Sequence, residues 1–139
     1  FFRRVTVRAE RRGTLAVYGC TMGSDQPRDK ATQNYLLIES RAAFGAPGGG
    51  FCVELACALA AAGESATVLL VQNGVLPARR GARSDGIDRL AASGVAVLAD
   101  EFSLAERGIP SDRLVAGVRA TQLDVVVDRL LDGWKVLWH

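Results

Sequence analysis

The side chains able to do chemistry are few and unevenly spread. The 139-residue chain carries three cysteines (Cys20, Cys52 and Cys57), one histidine (His139), adjacent carboxylates at Asp100-Glu101 and an amide-bearing turn at Gln72-Asn73-Gly74-Val75. A thiol in a strand-to-helix loop is a nucleophile candidate, because nearby helix N-terminal amides favour its thiolate. Cys20 fits that description, since it follows the strand-like Thr14-Leu15-Ala16-Val17-Tyr18-Gly19. The bland alternative is a small, half-buried loop residue. Cys52 and Cys57 sit five positions apart in an apolar stretch and read as buried structural thiols. An odd cysteine count, no CxxC pair and a single histidine argue against a zinc site and against a disulfide framework. Neither a metal nor a cofactor is therefore expected, and His139 reads as solvated. Asp100 and Glu101 form an acid–base or hydrogen-bonding pair, or simply charge the start of a helix. Asn73, next to Gly74, either meets a ligand or tolerates a left-handed turn. Trp134 and Trp138 are four apart on a strand, so they share a side and either anchor a subunit interface or fill the core.

What must position these groups is a parallel sheet. Residues 66–71 form a buried-type strand that stops at Gln72-Asn73-Gly74. That places a polar turn at its C-terminal end, the edge where parallel α/β sheets bind ligands. Further strands are expected at 14–19, 95–99, 114–118 and 134–138. Helices are expected at 31–44, with Tyr35, Leu36, Ile38 and Ala42 roughly on one face; at 51–62, ending at Gly63; and at 86–92. Ser103-Leu104-Ala105-Glu106 spells a capping box opening a single turn. A last helix is expected from a Thr121 cap to Asp132, with Leu123, Val126, Val127, Leu130 and Leu131 inward and Asp124, Asp128 and Asp132 outward. Strands alternating with helices predict an α/β fold: a three-layer α/β/α sandwich on a five-stranded parallel sheet.

Composition narrows the function classes. With 49% apolar and 23% charged residues the chain is ordinary globular material, enough for one domain with a real core. A net charge of +2 is too small to argue for nucleic acid, and residues 1–13 alone hold five Arg against one Glu. They read as a basic arm, with the flank of a removed segment as the alternative. Arg79, Arg80 and Arg83 have no interleaved aromatic residue and read as a solvated loop. The glycine-rich residues 45–50 lack the Gly-Lys-Ser/Thr ending of a phosphate loop. No run approaches the roughly 18 apolar residues of a membrane span. Unpaired thiols fit a reducing, cytoplasmic setting.

Taken together, these stretches resemble the DsrE/DsrF/DsrH family of sulfur-relay proteins, which includes the TusBCD subunits. Leu70-Val71-Gln72-Asn73-Gly74-Val75 is similar to that family's apolar strand ending in Gln-Asp/Asn-Gly-Val. Residues 94–109, closing as Leu104-Ala105-Glu106-Arg107-Gly108-Ile109, resemble its Gly-Val to Leu-x-x-Arg-Gly-Ile/Leu segment. Asp132-Gly133-Trp134-Lys135-Val136-Leu137-Trp138 is similar to the ending of the DsrH/TusB branch. The resemblance covers one domain over residues 14–139 and marks 24–50 as an enlarged first loop. It implies the five-stranded sandwich and a homo- or hetero-oligomer. Active members carry a persulfide-bearing cysteine just after the strand corresponding to 95–99. Here Asp100 stands at that place and no cysteine follows Cys57. A carboxylate cannot hold a sulfane sulfur, and it repels an incoming thiolate.

Three functional expectations follow. The first is a DsrE/DsrH-like subunit acting in an oligomer or with a sulfur-carrier partner, without relay-cysteine chemistry. The second is a sulfur carrier or sulfurtransferase using Cys20 as its persulfide site, the one enzymatic activity the resemblance suggests. The third is a small-molecule sensor whose cleft uses Asn73, Gly74, Asp100 and Glu101.

Overall fold

The computed structural model describes residues 31–42 and 50–139. The basic arm, the strand expected at 14–19, Cys20 and most of the glycine-rich segment lie outside the described residues. Within them the chain runs β1 (Asn34–Glu39), α1 (Phe51–Ala61), β2 (Ser65–Leu70), a 3-10 helix (Gln72–Ala78), α2 (Asp85–Ala92) and β3 (Ala96–Asp100). It continues through α3 (Glu101–Glu106), a 3-10 turn (Ser111–Arg113), β4 (Val118–Thr121), α4 (Val125–Leu131) and β5 (Lys135–Trp138). The five strands form one sheet in the order β4-β3-β2-β1-β5, with every pairing parallel.

The interior strand β1 corrects the helix expected at 31–44. Leu36, Leu37 and Ile38 are almost wholly buried because β1 is covered on both faces. A strand buried on both faces reads as a continuous apolar run, which periodicity cannot tell from a helix. Alternate residues feed two cores. Leu37, Val68, Leu70, Val97 and Ala99 face α1, α2 and α3 and pack with Val53, Ala56, Ile87, Leu90 and Leu104. Leu36, Ile38, Leu69 and Leu98 face the other way, against Val125, Val126, Trp134 and Val136. Burying each large aliphatic side chain here contributes about 1.5–3 kcal/mol.

The helix predicted at 51–62 is present as α1, and Gly63 follows it with φ 79°, where Glu64 N–H donates to Leu59 C=O at 3.0 Å. That closes the last turn in the manner of a glycine C-terminal cap. Three further expectations are corrected. The fourth strand is Val118–Thr121, while Leu114 makes only an isolated antiparallel bridge to Arg79. The cap of α3 is Asp100, whose carboxylate accepts from Ser103 N–H, so Ser103 does not open a capping box of its own. The cap position of α4 is Asp124, and Thr121 ends β4.

The inward face of α4 also differs. Leu123, Val127, Leu130 and Leu131 are exposed, and Val125 and Val126 are the residues turned toward the sheet. Apolar residues run almost all the way round this helix, so its sequence fits two opposite faces. Among the described residues, no helix is long and apolar enough to cross a membrane.

Candidate functional site

The parallel sheet collects its strand ends on one edge. Gln72 and Asn73 follow β2, Asp100 ends β3 paired with Thr121 of β4, and Glu39 ends β1. Two distinct clusters occupy this edge.

The first is a structural clamp made from the two sequence motifs. Val71 N–H donates to Glu39 C=O at 2.9 Å, and Gly74 N–H donates to Val71 C=O at 2.8 Å. Gly74 lies against the backbone of Glu39 so closely that a Cβ would overlap its carbonyl oxygen. The glycine is required by this close approach. The left-handed residue of the turn is Gln72, at φ 49°, where Asn73 was the expectation. Gln72 N–H donates to Ser103 Oγ at 2.8 Å, and Ser103 Oγ–H donates to Asp100 Oδ2 at 2.6 Å. Asp100 is thus buried with its carboxylate committed to the start of α3. Arg107 completes the clamp: its Nε and Nη2 donate to Asn73 Oδ1 at 3.2 and 3.0 Å, and its Nη1 donates to Ser103 C=O at 3.1 Å.

Glu101 lies apart from this network. It lines a groove of about 410 Å³ with Leu104, Ala105, Ile109, Pro110 and Ala120. Of the four residues expected to share a cleft, the structure joins Asn73, Gly74 and Asp100 through the clamp and leaves Glu101 on a separate surface. Trp134 is half-buried against the second core, with the Arg129 guanidinium 4.2 Å above its ring, whereas Trp138 is exposed.

The second cluster was not foreseen. Glu39, Cys52 and His139 converge on the α1 face of the sheet, with one ligand-type atom of each within 4.8 Å of the others. Glu39 has the same strand parity as Leu37, so it points toward α1, and Cys52 is in the first turn of that helix. His139 extends β5 beside β1. Its N–H donates to Ile38 C=O at 2.9 Å, and its C=O accepts from Ser40 N–H at 3.1 Å and Ser40 Oγ at 2.8 Å. Its Nδ1 is 3.3 Å from Glu39 Oε2, and its ring packs on Phe51 with centroids 5.0 Å apart. The imidazole is therefore held in place and half-covered, which corrects the solvated reading. Glu39 Oε1 accepts from Arg41 N–H at 2.9 Å.

Burial, then the charge of Glu39, then a hydrogen bond to that carboxylate push the Cys52 thiol up to about 12. The amides of the first helical turn pull the other way by only about 0.3–1 kcal/mol. A rise from 9.0 to about 12 corresponds to about 4 kcal/mol, so burial beside an anion wins. One signal in the sequence could have found this cluster. A lone histidine at the end of the last strand of a parallel sheet must share an edge with whatever ends the neighbouring strand.

No protein-family model matches the chain, and no curated protein matches it in sequence. Solved structures do match in fold. The YchN protein of E. coli superposes with a TM-score of 0.66 at 22% identity, over 78% of this chain and 100% of its own. What the two share is the five-stranded, all-parallel α/β architecture. The MTH1491 protein of Methanobacterium thermoautotrophicum follows at a TM-score of 0.62 and 22% identity, covering 78% of this chain and 99% of its own. The BT1422 protein of Bacteroides thetaiotaomicron superposes at 0.59 and 17% identity, over 76% of this chain and 94% of its own. At these identities the likeness establishes the architecture alone.

Proposed function

We propose that this chain is a DsrE/DsrH-like subunit that works inside an oligomer or with a sulfur-handling partner, without relay-cysteine chemistry at the end of β3. The observation that carries the subunit reading is the apolar surface of α4 and β5. Leu131 is 81% exposed, Trp138 65%, Val127 57% and Leu130 55%. Several large apolar side chains left exposed on one helix and the strand that follows it are what association sites in folded domains present. Asp100 supports the second half of the proposal. It stands where the resembling family keeps its persulfide cysteine, and its carboxylate is already spent on Ser103.

Size-exclusion chromatography with light scattering on the purified chain tests the subunit reading. An oligomer at micromolar concentration supports it, and a clean monomer sinks it. Intact mass after treatment with a persulfide donor tests the chemistry. No sulfur gain agrees with the proposal. A gain of one sulfur lost in Cys20→Ala transfers the function to the sulfur-carrier reading.

A further inference from the structure

We propose that Glu39, Cys52 and His139 form a binding site for one divalent transition-metal ion of the zinc class. Three observations carry this.

The first is geometry. Zinc holds sulfur at about 2.3 Å and nitrogen or oxygen at about 2.0–2.2 Å, so tetrahedral donors stand roughly 3.3–3.8 Å apart. Glu39 Oε2 and His139 Nδ1 are already 3.3 Å apart, and the whole donor set lies within 4.8 Å. Closing it on an ion takes a shift of about an ångström, well within the reach of a side-chain rotation.

The second is donor chemistry. A thiolate, an imidazole and a carboxylate form a borderline-soft set that suits zinc and its neighbours and does not suit magnesium or calcium. The charges balance as well. Glu39 and a Cys52 thiolate bring two negative charges, and His139 ligates as the neutral ring. A divalent ion thus neutralises a set that is otherwise two buried acids facing each other.

The third is position and support. The sheet order reverses at the β1–β5 pair: α1, α2 and α3 cover one face while α4 crosses the other to reach β5. The carboxyl ends of strands at such a switch point are where open α/β sheets bind ligands. Two of the donors, Glu39 and His139, are also pre-set by the fold. Arg41 N–H holds the second oxygen of Glu39, Ser40 and Ile38 hold the backbone of His139, and Phe51 supports its ring. Outer groups of this kind orient metal ligands.

Among the described residues the set supplies three protein donors, the number that zinc sites open to water or substrate use. The site lies within one protomer and does not depend on the subunit reading.

Anaerobic titration of the full, chelator-treated chain with Co²⁺ tests the proposal. The expected result is saturation at one ion per chain. Intense visible bands of a tetrahedral site should appear together with a near-ultraviolet thiolate-to-cobalt band, and both should be displaced by Zn²⁺. Cys52→Ser should abolish the thiolate band, and Cys57→Ser should leave it intact. His139→Gln, at the half-exposed edge where folding is least at risk, should weaken Co²⁺ at least about 100-fold. Circular dichroism of each variant separates a lost ligand from a lost fold. Absence of the thiolate band in the wild type, its survival in Cys52→Ser, or unchanged affinity in a folded His139→Gln would each overturn the site.

Discussion

A methyl group at position 74 would overlap the carbonyl oxygen of Glu39, so the smallest possible substitution there is a test of the clamp. Gly74→Ala should destabilise the protein by about 2–3 kcal/mol, the cost of overpacking a rigid contact. Equilibrium urea unfolding measures it, and wild-type stability in that variant would contradict the close approach. At the same edge, Cys52 makes metal-free stability depend on pH. Its folded-state value lies near 12 against an ordinary 9.0, so the folded chain holds a proton that the unfolded chain releases in between. The stabilisation is complete below pH 9 and is lost as the pH rises toward 12, at up to about 1.4 kcal/mol per pH unit. Wild type should therefore lose stability faster than Cys52→Ala across that range in parallel denaturation curves; superimposable slopes would refute it. The sequence made Asp100, Gly74 and Asn73 visible as a group because they sit at recognisable strand ends. Glu39, Cys52 and His139 were opaque for a physical reason. Each looks ordinary alone, and only the pairing of β5 beside β1 brings residues 100 positions apart into one cluster.

Ser103 joins two elements through a single oxygen, accepting from Gln72 after β2 and donating to Asp100 before α3. Its hydroxyl is buried, so Ser103→Ala strips a donor from the carboxylate and the acceptor from the Gln72 amide at once. The expected cost is about 1–3 kcal/mol. Ser93→Ala, on an exposed serine after α2, should change stability by no more than about 0.5 kcal/mol. Comparable urea midpoints for the two variants would show that the clamp carries no load. At this scale the sequence spoke most clearly where local chemistry dictates an element. Gly63 ends α1, and the apolar run into Gln72-Asn73-Gly74 ends β2. It misled where tertiary context decides. Leu36, Leu37 and Ile38 are apolar on both sides because β1 is an interior strand with a core on each face, and that run satisfies a helix as readily as a strand. In α4, apolar residues on nearly every side concealed which face meets the sheet.

The two faces of the sheet are unequally covered. Among the described residues, α1, α2 and α3 enclose one face, while on the other only α4 supplies a covering helix and keeps Leu130 and Leu131 outside. A helix apolar all round is stable when it is buried on both sides, against its own sheet and against a second surface. Trp138, on edge strand β5, is a further large hydrophobic side chain left exposed. Replacing Leu131 by Glu sets a charge at the most exposed large hydrophobic position of that surface and removes no contact with the core. In an isolated chain such a surface change is worth no more than about 0.5 kcal/mol. In an assembly that buries Leu131, an unpaired carboxylate is forced out of water, at a cost of several kcal/mol. The oligomer should therefore give way to a monomer in light scattering for Leu131→Glu, while the circular dichroism spectrum stays native. Arg129 and Asp132 flank the position as an ion pair at 3.8 Å, so Leu131→Lys should dissociate the assembly as well if burial is the cause. An oligomer indifferent to both charges would place its interface elsewhere on the molecule. One broken by Glu and retained with Lys would show that the opposing surface is acidic, with charge and not burial deciding the contact.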